Sequence, residues 1–352
     1  MEAVQEKHEA SFYSTVRQDV VQCFLCPRNC TIKPGKRGNC HARSNHAGKL
    51  ISDVYGRIAA INLDPIEKKP LYHFYPGTKI LSVGTAGCNF HCVFCQNYSL
   101  SQCKHPEERG SHHFSPEELV NLAMNTNGNV GIAFTYNEPS INYEFMLDTS
   151  IMCRRVGLAT IMVSNGYINE EPLKHLLKHM DAFNIDLKAF NPAFYRKYCK
   201  GRLAPVLDSL LQIADSGNHL EVTNLVIPGL NDDPLEFESM CHWIADKLGK
   251  STVLHLSRYF PGYKLKLIPT PSDTMFKLWD IAKNHLGHVY LGNMSAGDHG
   301  DTFCPHCGQK LIARNAYSIR KKGIDETGRC VQCKTHVIKE MNHESFHSKS
   351  HI

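Results

Sequence analysis

KILSVGTAGCNFHCVFCQN, residues 79–97, places Cys88, Cys92 and Cys95 at spacing C-x3-C-x2-C directly behind a short apolar run. KILSVG reads as a strand, and the glycines at 84 and 87 let the following loop wrap tightly. The count of three thiolates matters. Structural zinc, or a fully ligated cluster, takes four ligands, whereas three leave a 4Fe-4S cluster with one iron open to an outside ligand. The competing arrangement is a three-cysteine zinc site completed by His91. The position of the motif behind the first strand of a repeating pattern favours the cluster.

Outward from this stretch the chain alternates β-branched apolar runs with longer amphipathic segments, which is the pattern of βα units on a parallel sheet. The runs are 79–84, 130–136, 158–164, 182–187, 219–227 and 252–257, with a possible terminal one at 288–293. Helices are expected from Ser115, where Ser-Pro-Glu-Glu offers a capping box, and at about 140–157, 171–180, 204–217, 234–249 and 272–286. Six units are too few for a closed eight-unit barrel, and the first strand lacks a Gly-rich phosphate loop. The expected fold is α/β, a partial (βα)6 TIM-like barrel, with ligands at the carboxyl ends of the strands.

With Phe94 between its last two cysteines, the motif resembles that of the radical SAM superfamily. The resemblance makes Cys88, Cys92 and Cys95 the ligands of a 4Fe-4S cluster and puts Phe94 beside the adenine of S-adenosylmethionine. Thr135-Tyr136-Asn137-Glu138-Pro139 looks like the family's Gly-Gly-Glu-Pro segment, which meets the methionine amino group, with Tyr-Asn in place of the glycines. Ser164-Asn165-Gly166 is similar to the Thr-Asn-Gly of glycyl-radical activating enzymes, and Asp186-Leu187-Lys188 to their Asp-Leu-Lys. Lys188 is thereby expected to pair with the methionine carboxylate, and Asp186 and Ser164 to hold ribose hydroxyls or a small cation. Thr223 stands where the activating enzymes carry an arginine, and Arg258 and His255 are the candidates to replace it.

The flanks extend the resemblance. Cys-x2-Cys-Pro-Arg-x-Cys near the start, PIEKKPLYHFYPG before the cysteine loop, CQNYSLSQ after it and Cys-Pro-His-Cys-Gly near the end resemble the AmmeMemoRadiSam-system radical SAM proteins over nearly the whole chain. That family is related to pyruvate formate-lyase activating enzymes and is named for accompanying Memo-type and AMME-type proteins, which are implied as partners. The implied activity is reductive cleavage of S-adenosylmethionine, with an electron from a flavodoxin- or ferredoxin-like donor, to a 5′-deoxyadenosyl radical that abstracts hydrogen. A protein substrate, as in an activating enzyme, stands beside modification of a small molecule or tRNA. A zinc-binding interaction protein is the non-enzymatic alternative.

Eleven of the 15 cysteines fall into three groups. Cys304, Cys307, Cys330 and Cys333 form two C-x2-C knuckles with zinc-ribbon spacing and point to structural zinc. Arg314, Arg320, Lys321 and Lys322 between them suggest either a solvated surface or a docking or nucleic-acid face. Cys23, Cys26, Cys30 and Cys40 also supply four thiolates, which suit zinc and a second iron–sulfur cluster equally. Cys103, Cys153, Cys199 and Cys241 stand alone and read as small hydrophobes. His73 and His91 lie nearest the cysteine loop in sequence. The expected division is a Cys-rich N-terminal segment over 1–75, the barrel over 76–293, a zinc-ribbon-like C-terminal module over 294–340 and a disordered tail over 341–352.

A net charge of +5 on 352 residues is too mild to demand a nucleic-acid partner. No run approaches about 20 apolar residues, and the N-terminus lacks the pattern of a signal peptide. A cytoplasmic protein with no membrane association is expected, and its clustered cysteines fit metal binding better than disulfides.

Overall fold

The computed structural model describes residues 7–106 and 111–342. The chain opens with a small antiparallel sheet, β1 (Tyr13–Arg17), β2 (Val20–Cys23) and β3 (Thr31–Ile32), followed by the hairpin β4 (Arg43–His46) and β5 (Lys49–Ser52). A central sheet of eight strands follows. It consists of β6 (Ala60–Pro65), β7 (Lys79–Gly84), β8 (Asn129–Phe134), β9 (Ala159–Ser164), β10 (Ala182–Asp186), β11 (His219–Val226), β12 (Val253–Arg258) and β13 (His288–Gly292), hydrogen-bonded in chain order. Strands β7 to β13 are parallel, and β6 runs antiparallel on β7. The main helices are α1 (Pro116–Asn125), α2 (Tyr143–Arg155), α3 (Glu170–Leu176), α4 (Ala204–Ser216), α5 (Pro234–Lys247) and α6 (Ser272–Lys283), one between each pair of successive parallel strands.

All six expected helices and all seven expected runs are present, because each run buries both faces between helices and interior and so is rich in apolar residues. The capping box forms as read, with Ser115 Oγ accepting the Glu118 N–H at 3.1 Å and Glu118 Oε2 accepting the Ser115 N–H at 2.7 Å. The strand count needs correction. The run at 288–293 is a full seventh parallel strand, and β6 extends the same sheet ahead of residue 76.

Residues 66–78 close the end of the sheet where the strands begin, and the wholly buried carboxylate of Glu221 holds them there. It accepts the Tyr72 and His73 N–H groups at 3.0 and 2.7 Å, and His219 Nε2 and His255 Nε2 lie 2.9 and 2.5 Å away. Burial alone would push this carboxyl up, but the two histidines hold it well below its usual range. At the other side, Arg43 ties the N-terminal unit to α2. Its guanidinium meets Glu144 at 2.5 Å, and both groups are buried. The last strands, β14 (Thr302–Phe303), β15 (Lys310–Asn315) and β16 (Ser318–Lys321), form a small antiparallel sheet.

Arg314 on β15 anchors that sheet. It donates to Tyr72 O at 3.0 Å and Thr302 Oγ1 at 2.6 Å, with its guanidinium 4.2 Å from the centre of the Tyr72 ring. It is therefore not part of a solvated basic face. Of the expected tail, Met341 is buried in the C-terminal core, and residues 343–352 lie outside the described residues.

Strands β8 and β9 approach too closely for a side chain at Gly131, where a Cβ would stand 1.9 Å from the Ala159 carbonyl oxygen. Gly131→Ala must push the two central strands apart and is expected to cost about 3 kcal/mol or more. Urea unfolding checks this; an unchanged midpoint would contradict it.

Candidate active site and metal centres

Each of the ten residues expected at the cluster and S-adenosylmethionine site sits at or just beyond the carboxyl end of a parallel strand. Cys88, Cys92, Phe94 and Cys95 follow β7, Asn137 and Glu138 follow β8, Ser164 and Asn165 close β9, and Asp186 and Lys188 close β10. All ten line one cavity of about 540 Å3. The alternation of strand and helix explains the convergence, since every crossover returns the chain to the same edge of the sheet.

Glu138 joins two strand ends. Its Oε1 accepts from Ser164 Oγ at 2.8 Å and Ser140 N–H at 3.1 Å, and its Oε2 accepts the Asn165 N–H at 2.8 Å. Burial pushes the carboxyl up, and these donors act in the opposite sense. The Ser164 hydroxyl is thus committed to Glu138 and serves as a positioning group. Asn165 reaches back to the cysteine loop, donating to Asn89 Oδ1 at 2.9 Å and lying 3.8 Å from Cys88 Sγ. Lys188 Nζ pairs with Asp186 Oδ2 at 2.8 Å. Burial opposes the lysine charge, but Asp186 outweighs it and holds the ammonium well above its usual range.

Where the resembled segment has glycines, Tyr136 adopts φ +71°, the left-handed conformation that glycine takes freely and tyrosine at a cost on the order of 1 kcal/mol. Its hydroxyl is held by Asp64 Oδ2 at 2.6 Å and Asn62 Nδ2 at 3.0 Å, with Lys69 over its ring. Those contacts offset the strain. Asn137 turns to the cysteine loop, its Oδ1 accepting the Thr85 N–H at 3.2 Å and its Nδ2 donating to Gly87 O at 2.9 Å. Phe94 is buried against Phe194, with centroids 5.8 Å apart.

Four other residues singled out in the sequence are engaged elsewhere. His91 is bound to Gln102 at 2.9 Å and Asn39 at 2.8 Å, so it does not complete a zinc site with the three cysteines. His73 lies against Tyr290 and Glu221, away from the cysteine loop. Arg258 Nε donates to Thr270 O at 2.7 Å and His255 Nε2 meets Glu221, and neither residue lines the cavity of the ten. Other neighbours left no trace in the sequence pattern. Ser101 Oγ lies 3.1 Å from Cys95 Sγ, and the thiol of buried Cys199 contacts Cys92. Cys153 and Cys241 are buried in the core, as expected of small hydrophobes.

A second cavity of about 670 Å3 shares Lys68, Thr223, Ser257 and Asn293 with the first. Its far wall is the turn from β15 to β16, so the C-terminal module borders the route to the site.

The four C-terminal thiols converge. Their sulfurs all lie within 4.8 Å of one another, with Cys304–Cys333 at 3.5 Å and Cys307–Cys330 at 3.6 Å. Among the described residues no other set of three or more metal-ligating side chains is so compact. Cys23, Cys26, Cys30 and Cys40 line a separate cavity that touches the loop before Cys92.

Comparison with known proteins bears on this arrangement. Residues 82–240 match the model of the radical SAM superfamily. The chain carries a radical SAM domain. Such a domain brings with it an iron–sulfur cluster, S-adenosylmethionine and its cleavage to a radical, so the chain is an enzyme. An uncharacterized protein of Methanocaldococcus jannaschii, MJ0808, is 43% identical over 92% of this chain and 97% of its own length. The pyruvate formate-lyase-activating enzyme of Listeria monocytogenes is 23% identical over 48% of this chain and 70% of its own. Streptococcus suis SuiB bound to S-adenosylmethionine superposes with a TM-score of 0.49 at 12% identity, over 65% of this chain and 53% of its own, a likeness that carries no weight in the assignment. Among the described residues no helix is long and apolar enough to cross a membrane.

Proposed function

We propose that this radical SAM enzyme holds a 4Fe-4S cluster on Cys88, Cys92 and Cys95 and uses S-adenosylmethionine, bound to the open iron, for hydrogen abstraction in the manner of an activating enzyme. The observation that carries the reading is that three thiols, a buried carboxylate and a lysine–aspartate pair, drawn from the ends of β7, β8 and β10, share one cavity. Three thiols at its floor suit a cluster with one open corner. When bound, the cluster and S-adenosylmethionine supply one-electron cleavage of a sulfonium bond to methionine and a 5′-deoxyadenosyl radical.

The chain's own residues bind, orient and exclude water. Glu138, locked by Ser164 and Asn165, presents a fixed acceptor to the methionine ammonium. Lys188 faces the methionine carboxylate, and Asp186, beside it, faces the ribose hydroxyls. Asn137 and Asn165 brace the cysteine loop. Phe94 supplies an apolar wall for the adenine, and the second cavity gives room for substrate. A protein substrate is favoured by the relatives named as activating enzymes. The electron comes from a flavodoxin- or ferredoxin-like donor. The C-terminal thiols hold zinc, for a tetrahedral ion with Zn–S of about 2.3 Å spaces its sulfurs by about 3.8 Å, close to the separations observed.

Anaerobic reconstitution with iron and sulfide, reduction in the presence of S-adenosylmethionine and chromatography for 5′-deoxyadenosine test this. Product is expected from the intact chain, and Cys92→Ala is expected to fall to the enzyme-free background. Zinc in place of iron in all three cysteine groups, with no product, would overturn the reading.

A further inference from the structure

We infer that the N-terminal cysteines form a second iron–sulfur site, Cys23, Cys26, Cys30 and Cys40 holding a metal–sulfide cluster and not a single zinc ion. All four thiols border one enclosed cavity between the small N-terminal sheet and the loop that carries Cys88. Cys23 ends β2, Cys26 and Cys30 lie in the turn to β3, and Cys40 precedes β4, so the backbone delivers them from three sides. The Cys23 N–H donates to Cys30 O at 2.9 Å and the Asn29 N–H to Cys26 O at 3.1 Å, which fixes the turn.

Spacing separates the two kinds of site within this one chain. The C-terminal sulfurs crowd to within 4.8 Å of one another, as ligands of one ion must. The N-terminal sulfurs surround their cavity without that crowding, and so do Cys88, Cys92 and Cys95. A cubane places each thiolate on a different iron at a separate corner, so its ligands stand apart.

A second observation points to the charge of the occupant. Arg28 and Arg43 border the same cavity, and Arg28 Nη2 and Arg43 Nε are buried with no acceptor among the described residues. Arg43 as a whole is only 1% exposed, and its Nη1 lies 4.0 Å from Cys23 Sγ. One buried N–H-bearing nitrogen of each guanidinium is thus left without an acceptor, which suits an anionic occupant, and a cluster offers both charge and sulfide acceptors to N–H groups. The site backs directly onto the catalytic loop. Arg28 Nε donates to Asn89 O at 2.9 Å, Asn89 borders the cavity, and the Cys40 carbonyl oxygen lies 2.5 Å from where a Cβ on Gly87 would stand.

Metal and sulfide content test the inference without reference to activity, so it can fail while the proposed chemistry stands. The full chain carrying Cys88→Ala, Cys92→Ala and Cys95→Ala, reconstituted anaerobically with iron and sulfide and desalted, is expected to retain about four iron and about four sulfide per chain. Adding Cys26→Ala and Cys30→Ala is expected to remove both while leaving about one zinc at the C-terminal thiols. If the triple variant does not fold, the intact chain decides: about eight iron are expected, with S-adenosylmethionine altering the Mössbauer signal of about one of them. A triple variant with no sulfide and a second zinc, or an intact chain with about four iron and a second zinc, would overturn it.

Discussion

Replacing Glu138 by alanine is expected to lower 5′-deoxyadenosine formation by about 100-fold or more, through two losses that can be separated. One is the acceptor for the methionine ammonium, a charge-assisted contact worth about 1.5–3 kcal/mol. The other is internal, because Ser164 Oγ and the Asn165 N–H would be left buried without an acceptor, each at about 1–3 kcal/mol. Glu138→Gln separates them. The amide keeps the shape and one acceptor, so it is expected to lower the unfolding midpoint less than alanine does while affinity for S-adenosylmethionine falls by about tenfold or more. Titration calorimetry on the reconstituted enzyme reads the affinity. A Glu138→Gln enzyme that binds S-adenosylmethionine as tightly as the intact one would remove this residue from the binding site.

The second large effect is expected at the other end of the chain. Cys330 is fully buried in the C-terminal core, and Cys330→Ala breaks the only compact thiol set among the described residues. A structural zinc contributes about 10 kcal/mol or more to the folding of a small module, so the variant is expected to lose zinc and to expose residues 302–341 to proteolysis. The damage should spread to the barrel. Glu340 O accepts the Tyr75 N–H at 2.8 Å and Arg314 covers Tyr72, so the plug over residues 66–78 loses its outer support. Arg314→Ala isolates that step. It is expected to keep the zinc and yet speed hydrogen exchange in 66–78, since it removes contacts to Tyr72 and Thr302. Unaltered zinc content and unaltered proteolysis in Cys330→Ala would contradict the structural role.

How much of this could be read from the sequence differs by element. The strands at 79–84, 159–164 and 219–226 were legible because a parallel strand buried on both faces is rich in β-branched and other apolar residues. β6 was not, since AINLDP at an edge is half exposed and mixes polar with apolar residues. The ten cavity residues were legible as motifs tied to strand ends, because the order of strand and helix already fixes which end of the sheet they share.

Sequence by itself determined the strand–helix rhythm, the three cysteine groups and the edge of the sheet where chemistry belongs, for these depend on local spacing and on which residues must be apolar. Tertiary structure alone decided that His255 and His73 serve Glu221, that Arg314 is an anchor, that Tyr136 takes a glycine's conformation, and that one four-cysteine group is compact while the other is spread. Those outcomes turn on distances between residues far apart in the chain, and ligand spacing in sequence does not determine how far apart folded sulfurs stand.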